Sequence, residues 1–375
     1  MNRVIRFIRR RTLPIWIGVN VLIAAIAVFS GFGGDIDPAE MPFAGLALLS
    51  FPLWYLLTAL LLVFNLIFCR ALMPVNLAGL LIALKPFLVF CPLNFGKHEL
   101  TQQQEPYAFK IMSYNTLSCV DEAGVDTTFN RTLHEILASG ADVVALFEYE
   151  NQGKLSKFAP QVQIDSLHSI YPYFKRGSRG TVMFSKRPIL HIQPPENNPS
   201  KGSIEAFRTQ VNHRGINIFA VHLESFGLNN EDKDKYREFT DSKPVRSEIG
   251  AMRDLLLSKL YHAFRNRGHQ ALTLREYADI LGGNTVICGD FNDVAGCRVI
   301  RVLEEAGFRD VYATVGLGPT VTFNDPHFFF RIDHFLWRGE FKPIKIERGN
   351  VPSSDHYPLL TTFVWDSDVP AISYY

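Results

Sequence analysis

The first hundred residues contain apolar runs that no water-soluble fold would expose. Residues 13–32 carry no charge, residues 42–69 form a second and longer uncharged run, and residues 71–95 form a third, interrupted by Lys85-Pro86. A bilayer core takes about 20 mostly apolar residues per helix. The pattern therefore predicts about three transmembrane helices and an integral, multi-pass membrane region over residues 1–100. A cleavable signal peptide would account for the first run and its basic leader, but not for the two that follow.

Basic residues orient such spans. Five arginines within the first eleven residues put the N-terminus in the cytoplasm. The loop holding Asp35, Asp37 and Glu40 has no Lys or Arg and reads as outside, and Arg70 suits an inner turn. Three spans then make everything after Lys97 extracytoplasmic. Lys85, near the middle of the third run, would have to face another helix or a polar cavity. A re-entrant third run would move the rest of the chain to the cytoplasmic side.

Beyond residue 100 charges occur throughout, with three more acids than bases over 101–375. A domain built to grip a polyanion unspecifically would be basic. Of five cysteines, Cys69 and Cys91 lie in apolar segments, and Cys119, Cys288 and Cys297 follow no metal-binding spacing. Short apolar runs at 109–115, 143–147, 182–185, 216–222, 285–288, 330–336 and 359–364 read as strands. Residues 129–139 read as a helix through Leu133, Ile136 and Leu137. A second helix starts at Asp241, Ser242 and Pro244, with Ile249, Met252, Leu256 and Leu260 on one face. This mixed α/β order predicts one domain over 101–375, with a helical insertion at about 223–283. The insertion is a solvated surface helix or a lid over the site.

Six apolar strands end in polar side chains: Asn115, Glu148, His222, Asp290 with Asn292, Asp333, and Asp355 with His356. Each alone has an ordinary explanation. Asn115 suits a turn, Glu148 a solvated face, His222 a core histidine and Asp333 a structural ion pair. The stretch Gly289-Asp290-Phe291-Asn292 is harder to dismiss. In extended chain, Asp290 and Asn292 project to one side. Carboxylates and carboxamides without clustered cysteines suit Mg²⁺, or Mn²⁺, better than zinc. A hard cation with acids and imidazoles is equipment for hydrolysing a phosphate ester. Arg179 and Arg208 are within sequence reach of the same strands, as phosphate contacts or as surface ion pairs.

Met112-Ser113-Tyr114-Asn115, Leu146-Phe147-Glu148, Val221-His222-Leu223, Gly289-Asp290-Phe291-Asn292, Arg331-Ile332-Asp333 and Ser354-Asp355-His356 occur in one order. That ordered set resembles the endonuclease/exonuclease/phosphatase superfamily over about 107–366. The resemblance implies a four-layer α/β sandwich, two packed mixed sheets flanked by helices, with its site at one end. It also implies a metal-dependent hydrolase of phosphoester bonds, of phosphodiesterase or phosphatase type. Carried over, Glu148 resembles the principal Mg²⁺ ligand, with Asn115 nearby and Asp355 a further carboxylate. Asp290 resembles the residue that orients or deprotonates the attacking water, and Asn292 its partner on the phosphate. His356 resembles the histidine on the scissile phosphate, held by Asp333, and His222 a second histidine there. Two departures stand out: Phe147 where many members have Gln, and the lack of Pro and Ser after Asn292.

The substrate is then a nucleic acid, or a phospholipid or other small phosphodiester. The acidic domain weakens the first reading, and the tie to the lipid bilayer favours the second. A non-catalytic binding module on the same fold is the alternative, though it gains little from keeping both histidines and the acids.

Overall fold

The computed structural model describes residues 3–96, 99–119, 128–149, 159–194, 200, 202–226, 246–324, 329–351 and 353–366. The apolar runs fold as helices, which satisfy their backbone amides within the segment. Helices α1 (Arg3–Gly31) and α2 (Phe43–Phe68) contain stretches of 20 and 26 residues that are long and apolar enough to cross a membrane. The third run instead folds as α3 (Met73–Ile82) and α4 (Leu84–Phe90), bent by 55°. Pro86 has no N–H to return to Ile82, which removes a bond the continuous helix would need. Lys85 is exposed on α4 and is not turned toward a neighbouring helix.

A buried asparagine cluster ties these helices together. Asn65 Nδ2 donates to Asn20 Oδ1 at 2.7 Å and to Asn76 Oδ1 at 2.8 Å, and Trp16 Nε1 donates to Asn65 Oδ1 at 3.1 Å. Amide bonds of this kind hold helices together where apolar burial gives no preference for protein over lipid.

The rest of the chain builds two six-stranded sheets. One contains β1 (Ala108–Asn115), β2 (Val143–Phe147), β3 (Tyr173–Arg176), β4 (Val182–Ser185), β13 (Phe341–Arg348) and β14 (Leu359–Trp365). Its order is β13-β14-β1-β2-β4-β3. The other contains β5 (Ile189–Ile192), β6 (Ile204–Val211), β7 (Arg214–His222), β8 (Thr285–Asp290), β9 (Arg309–Asp310) and β12 (Asp333–Arg338), in the order β5-β6-β7-β8-β12-β9. A small ribbon pairs β10 (Phe323–Asn324) with β11 (Phe329–Phe330).

Alternation along the strands explains the layers. Phe109, Ile111, Val143, Ala145 and Phe147 point inward to meet Val286, Cys288, Phe335 and Trp337 of the facing sheet. The intervening Met112, Tyr114, Val144 and Leu146 pack outward on α5 (Arg131–Ala138) and α6 (Gln161–Ile170). On the far side Phe219, Val221 and Ile287 pack on α7 (Arg246–Leu281) and α8 (Arg298–Glu305). The fold is the expected four-layer sandwich.

Several sequence boundaries shift. The 330–336 run divides into β11 and β12, and β8 continues past Cys288 to Asp290. Helix α7 fills most of the insertion, while Asp241, Ser242 and Pro244 lie outside the described residues.

The amino-terminal helices pack directly on the sandwich. Gly34 approaches so closely that a Cβ there would lie 1.8 Å from the Gly296 carbonyl oxygen. Asp35 Oδ1 is 3.1 Å from Arg301 Nε on α8. At the end of α4, Arg331 Nη2 donates to Val89 O at 3.3 Å, and Gly318 N donates to Pro92 O at 2.7 Å.

Candidate active site

Register brings the strand-end residues together. Asp290 ends β8 opposite His222 on parallel β7 and opposite Asp333 on antiparallel β12. Asn115 ends β1 opposite Phe147, which puts Glu148 one residue beyond the neighbouring strand. One end of the sandwich therefore collects side chains from both sheets.

Gly289 makes this approach possible. Its φ is 141°, and a Cβ there would meet Val221 O at 2.0 Å and Phe147 Cζ at 2.7 Å. No other residue fits that space. Glu148 itself has φ 49°, a left-handed turn that aims its carboxylate back over the strand ends. The turn is held by Tyr149 N donating to Gly180 O at 2.9 Å and Ser118 N donating to Glu148 O at 2.7 Å.

His356 lies between two acids. Its Nδ1 is 2.9 Å from Asp333 Oδ2 and its Nε2 is 3.6 Å from Asp290 Oδ2. Burial opposes its charged form, but the carboxylates of Asp333 and Asp290 outweigh that and lift it to about 10. His356 is therefore an imidazolium at neutral pH. Burial also lifts the Asp290 carboxyl, with Asp333 adding to it and the two histidines opposing. A carboxylate raised in this way is a stronger base than a solvated aspartate. Asn292 N donates to Asp290 Oδ1 at 2.8 Å, which fixes the other oxygen toward the histidines.

The opposite wall is wetter. Asn115 Nδ2 donates to Glu148 Oε1 at 3.1 Å and to Asp290 Oδ2 at 3.4 Å. His222 Nε2 is 3.7 Å from Glu148 Oε1 and 3.8 Å from Asp290 Oδ2. The Glu148 side chain is 37% exposed against 2% for Asp290, so it stands at the mouth. The Glu148 and Asp290 carboxylates both face the Asn115 amide here, while Cys119, Cys288 and Cys297 are buried, and carboxylate oxygens without thiolates suit a hard divalent cation. Among the described residues, Asp290, Asp333 and His356 also place ligand-type atoms within 4.8 Å of one another. The 2.9 Å contact between His356 Nδ1 and Asp333 already occupies part of that group.

Asp355 is half-buried and accepts from Ser354 Oγ at 3.4 Å, and Ser354 Oγ also donates to Asn115 O at 2.8 Å. It thus flanks the Asn115 side of the site. Asn292 departs from expectation. Its φ of 52° ends the extended chain, and its Nδ2 donates to Leu223 O at 3.0 Å. It does not share a strand face with Asp290. Arg208 bonds Asn217 at 2.8 Å toward the far end of β7, away from the site. Arg179 stays near the rim, with Nη1 donating at 3.3 Å to Ser203, whose carbonyl accepts from His222 N.

Two supporting residues carry no sequence motif. Thr322 Oγ1 accepts from Ile332 N at 2.9 Å and Asp333 N at 3.0 Å, and the Phe323 ring packs 5.1 Å from His356. Arg331 serves the frame: it pairs with Asp310 at 3.1 Å, and its Nη1 donates to His334 Nδ1 at 2.9 Å. His334 Nε2 donates to Asp293 O at 2.9 Å, so both ring nitrogens are used by the neutral form. Burial and the Arg331 charge lower His334 to about 3. Between that value and about 6.5 the unfolded chain takes up the proton and the folded chain does not. Stability should therefore fall as pH drops from about 6.5 to about 3, by on the order of 4 kcal/mol from this group. Urea midpoints of the full chain across that range check this, and His334→Gln should flatten the dependence.

One family comparison bears on this frame. The pattern described as Endonuclease/Exonuclease/phosphatase family matches residues 112–356. No curated protein matches the chain in sequence. Similar solved structures include truncated TDP2 of Caenorhabditis elegans, at 16% identity and TM-score 0.45, covering 69% of this chain and 98% of that one. An endonuclease/exonuclease/phosphatase from Beutenbergia cavernae is 18% identical at TM-score 0.47, covering 69% and 72%. ANGEL2, a 2',3'-cyclic phosphatase solved with adenosine-2',3'-vanadate, is 16% identical at TM-score 0.44, covering 69% and 96%. The family match spans well over half of the sequence, with site residues from Asn115 to His356 inside it. The chain belongs to the endonuclease/exonuclease/phosphatase family.

Proposed function

We propose that this chain is a membrane-anchored, divalent-metal-dependent phosphoesterase. The observation that carries the proposal is the His356 ring held by Asp333 at 2.9 Å and facing Asp290 at 3.6 Å, across from the open Glu148 carboxylate. Asp290 orients the attacking water and accepts its proton. His356 and His222 donate hydrogen bonds to the phosphate oxygens, where charge grows during in-line displacement. Asn292 fixes Asp290 through its backbone N–H and offers its remaining amide oxygen to the site. Glu148, with Asn115 and Asp355, would hold Mg²⁺ or Mn²⁺, which supplies charge neutralisation on those oxygens.

The N-terminus is cytoplasmic and the catalytic domain lies across the membrane. Contacts support this arrangement. The domain touches the α1–α2 loop at Gly34 and Asp35 and the end of α4 at Val89 and Pro92. Arg70 lies at the other end of α2. A chain that leaves Arg70 and reaches Pro92 has changed ends of the bundle, as a bent third span would.

The test is hydrolysis by the full chain in phospholipid vesicles, offered bis(p-nitrophenyl) phosphate, plasmid DNA or a choline phospholipid. Mg²⁺-dependent turnover of at least one, abolished by EDTA, is expected, and relative rates assign the substrate. A folded, Mg²⁺-binding chain that turns over none of them overturns the proposal.

A further inference from the structure

We infer that Arg267 is a positioning residue through which the amino-terminal helices set the loops carrying His222 and Asn292. This rests on the phosphoesterase reading above and concerns residues that reading does not use. Arg267 lies on α7, inside the insertion between His222 and Asp290, and is only 1% exposed. A guanidinium is rarely buried so far unless it is paired.

Its arms reach two different loops. Nε donates to Asp293 Oδ2 at 3.1 Å, and Nη1 donates to Glu224 O at 2.8 Å. Asp293 follows Asn292, and Glu224 lies two residues past His222. The loops are also bonded to each other through Leu223 N to Asp290 O at 2.9 Å and Asn292 Nδ2 to Leu223 O at 3.0 Å. Arg267 is thus the outer clasp of a pair of loops whose inner faces carry the chemistry.

The clasp is held from the membrane side. Phe226 and Phe264, packed edge to face on each other, lie beside the guanidinium with ring centres 4.7 and 4.9 Å from Cζ. Phe264 fills the space of a missing side chain on α2, since a Cβ on Gly45 would lie 2.7 Å from its ring. A continuous contact path therefore runs from the start of α2 through Phe264 and Arg267 to both loops. Among the described residues Nη2 is buried without a hydrogen-bond partner. The side chain is placed by the two loops and the two rings rather than by its own full satisfaction.

The experiment uses the full chain in phospholipid vesicles, with Mg²⁺ and bis(p-nitrophenyl) phosphate as probe. Arg267→Met combined with Asp293→Asn leaves no stranded buried charge. It should lower kcat about 10²-fold, the scale of a misplaced catalytic group. Mg²⁺ affinity should stay within about twofold, because Asn115 and Glu148 hang from the other sheet. Arg267→Lys should fall in between. Gly45→Val, which touches no site residue, should lower kcat in the same direction and less than additively with the double variant. A second readout needs no turnover. In histidine-labelled chain, the His222 ring resonance should move in both sets of variants, while that of His213, at the opposite end of β7, stays. An unmoved His222 resonance in folded variants, or kcat within twofold of the parent, overturns the inference. Absence of turnover by the parent overturns the phosphoesterase reading alone, and the His222 resonance then decides the positioning claim.

Discussion

Turnover by a His356→Ala chain should fall about a thousandfold or more while the domain remains folded. The imidazolium of His356 bonds Asp333 at 2.9 Å and faces Asp290 at 3.6 Å. Removing one preorganised donor to a developing oxyanion costs about 10²–10³ in rate. Here the lost donor is charged, and its loss also alters the carboxylate proposed as the base. Asp290 would then lose the neighbouring cation that favours its carboxylate, so it should be pushed further toward its protonated form, and a protonated Asp290 cannot accept a proton from water. Each effect acts on kcat.

His356→Gln separates chemistry from packing, since it fills the same space beside Phe323 without a positive charge. Equal losses in the two variants place the effect on the charge. A folded His356→Gln chain within about tenfold of the parent would remove His356 from the reacting centre. Asp333→Asn should cost less, about a hundredfold, because the ring can stay in place while the charge that sustains it is gone.

Much of this centre was legible in the sequence, because strand alternation and strand ends leave a periodic trace. Runs such as 143–147 and 182–185 match β2 and β4 residue for residue, and their apolar character follows from burial on both faces. The polar residue that stops each run is what the ladder then brings to one end. Asn292 was misplaced because its left-handed φ depends on the Asp290 side chain and Leu223 carbonyl, not on local residue type. Strands β6 and β13 escaped notice because charged residues such as Glu205, Arg208 and Lys345 interrupt their patterns. Glu205 is nevertheless buried, satisfied by His191 at 2.6 Å and the Ser178 N–H at 3.0 Å. Docking of the amino-terminal helices had no readable signal at all. It rests in part on glycines, Gly34 against Gly296 and Gly45 against Phe264, and on backbone carbonyls at Val89 and Pro92, none of which announces its neighbour.

Glu148→Gln should raise the Mg²⁺ concentration needed for half-maximal rate by at least about 100-fold. Loss of even an indirect support for a metal ligand costs about 10–100-fold in affinity, and Glu148 is the exposed, negatively charged member of the oxygen cluster. Gln keeps the length, the hydrogen-bonding reach to Asn115 and the left-handed backbone on which Gly180 packs. It removes only the charge, so the variant should fold like the parent. One outcome follows from a purely ligating role. Saturating Mg²⁺ should recover most of the rate, because Asp290 and His356 are untouched. Asp333→Asn gives the contrast, because the Asp290, Asp333 and His356 group is the rival place for an ion. If Asp333→Asn shifts the Mg²⁺ requirement and Glu148→Gln does not, the ion belongs with that buried group, and the metal role given to Glu148 is wrong. If only Glu148→Gln shifts it, the two walls divide the work. The wet wall then holds the cation, and the dry wall keeps a histidine charged so that the phosphate meets positive charge from both sides.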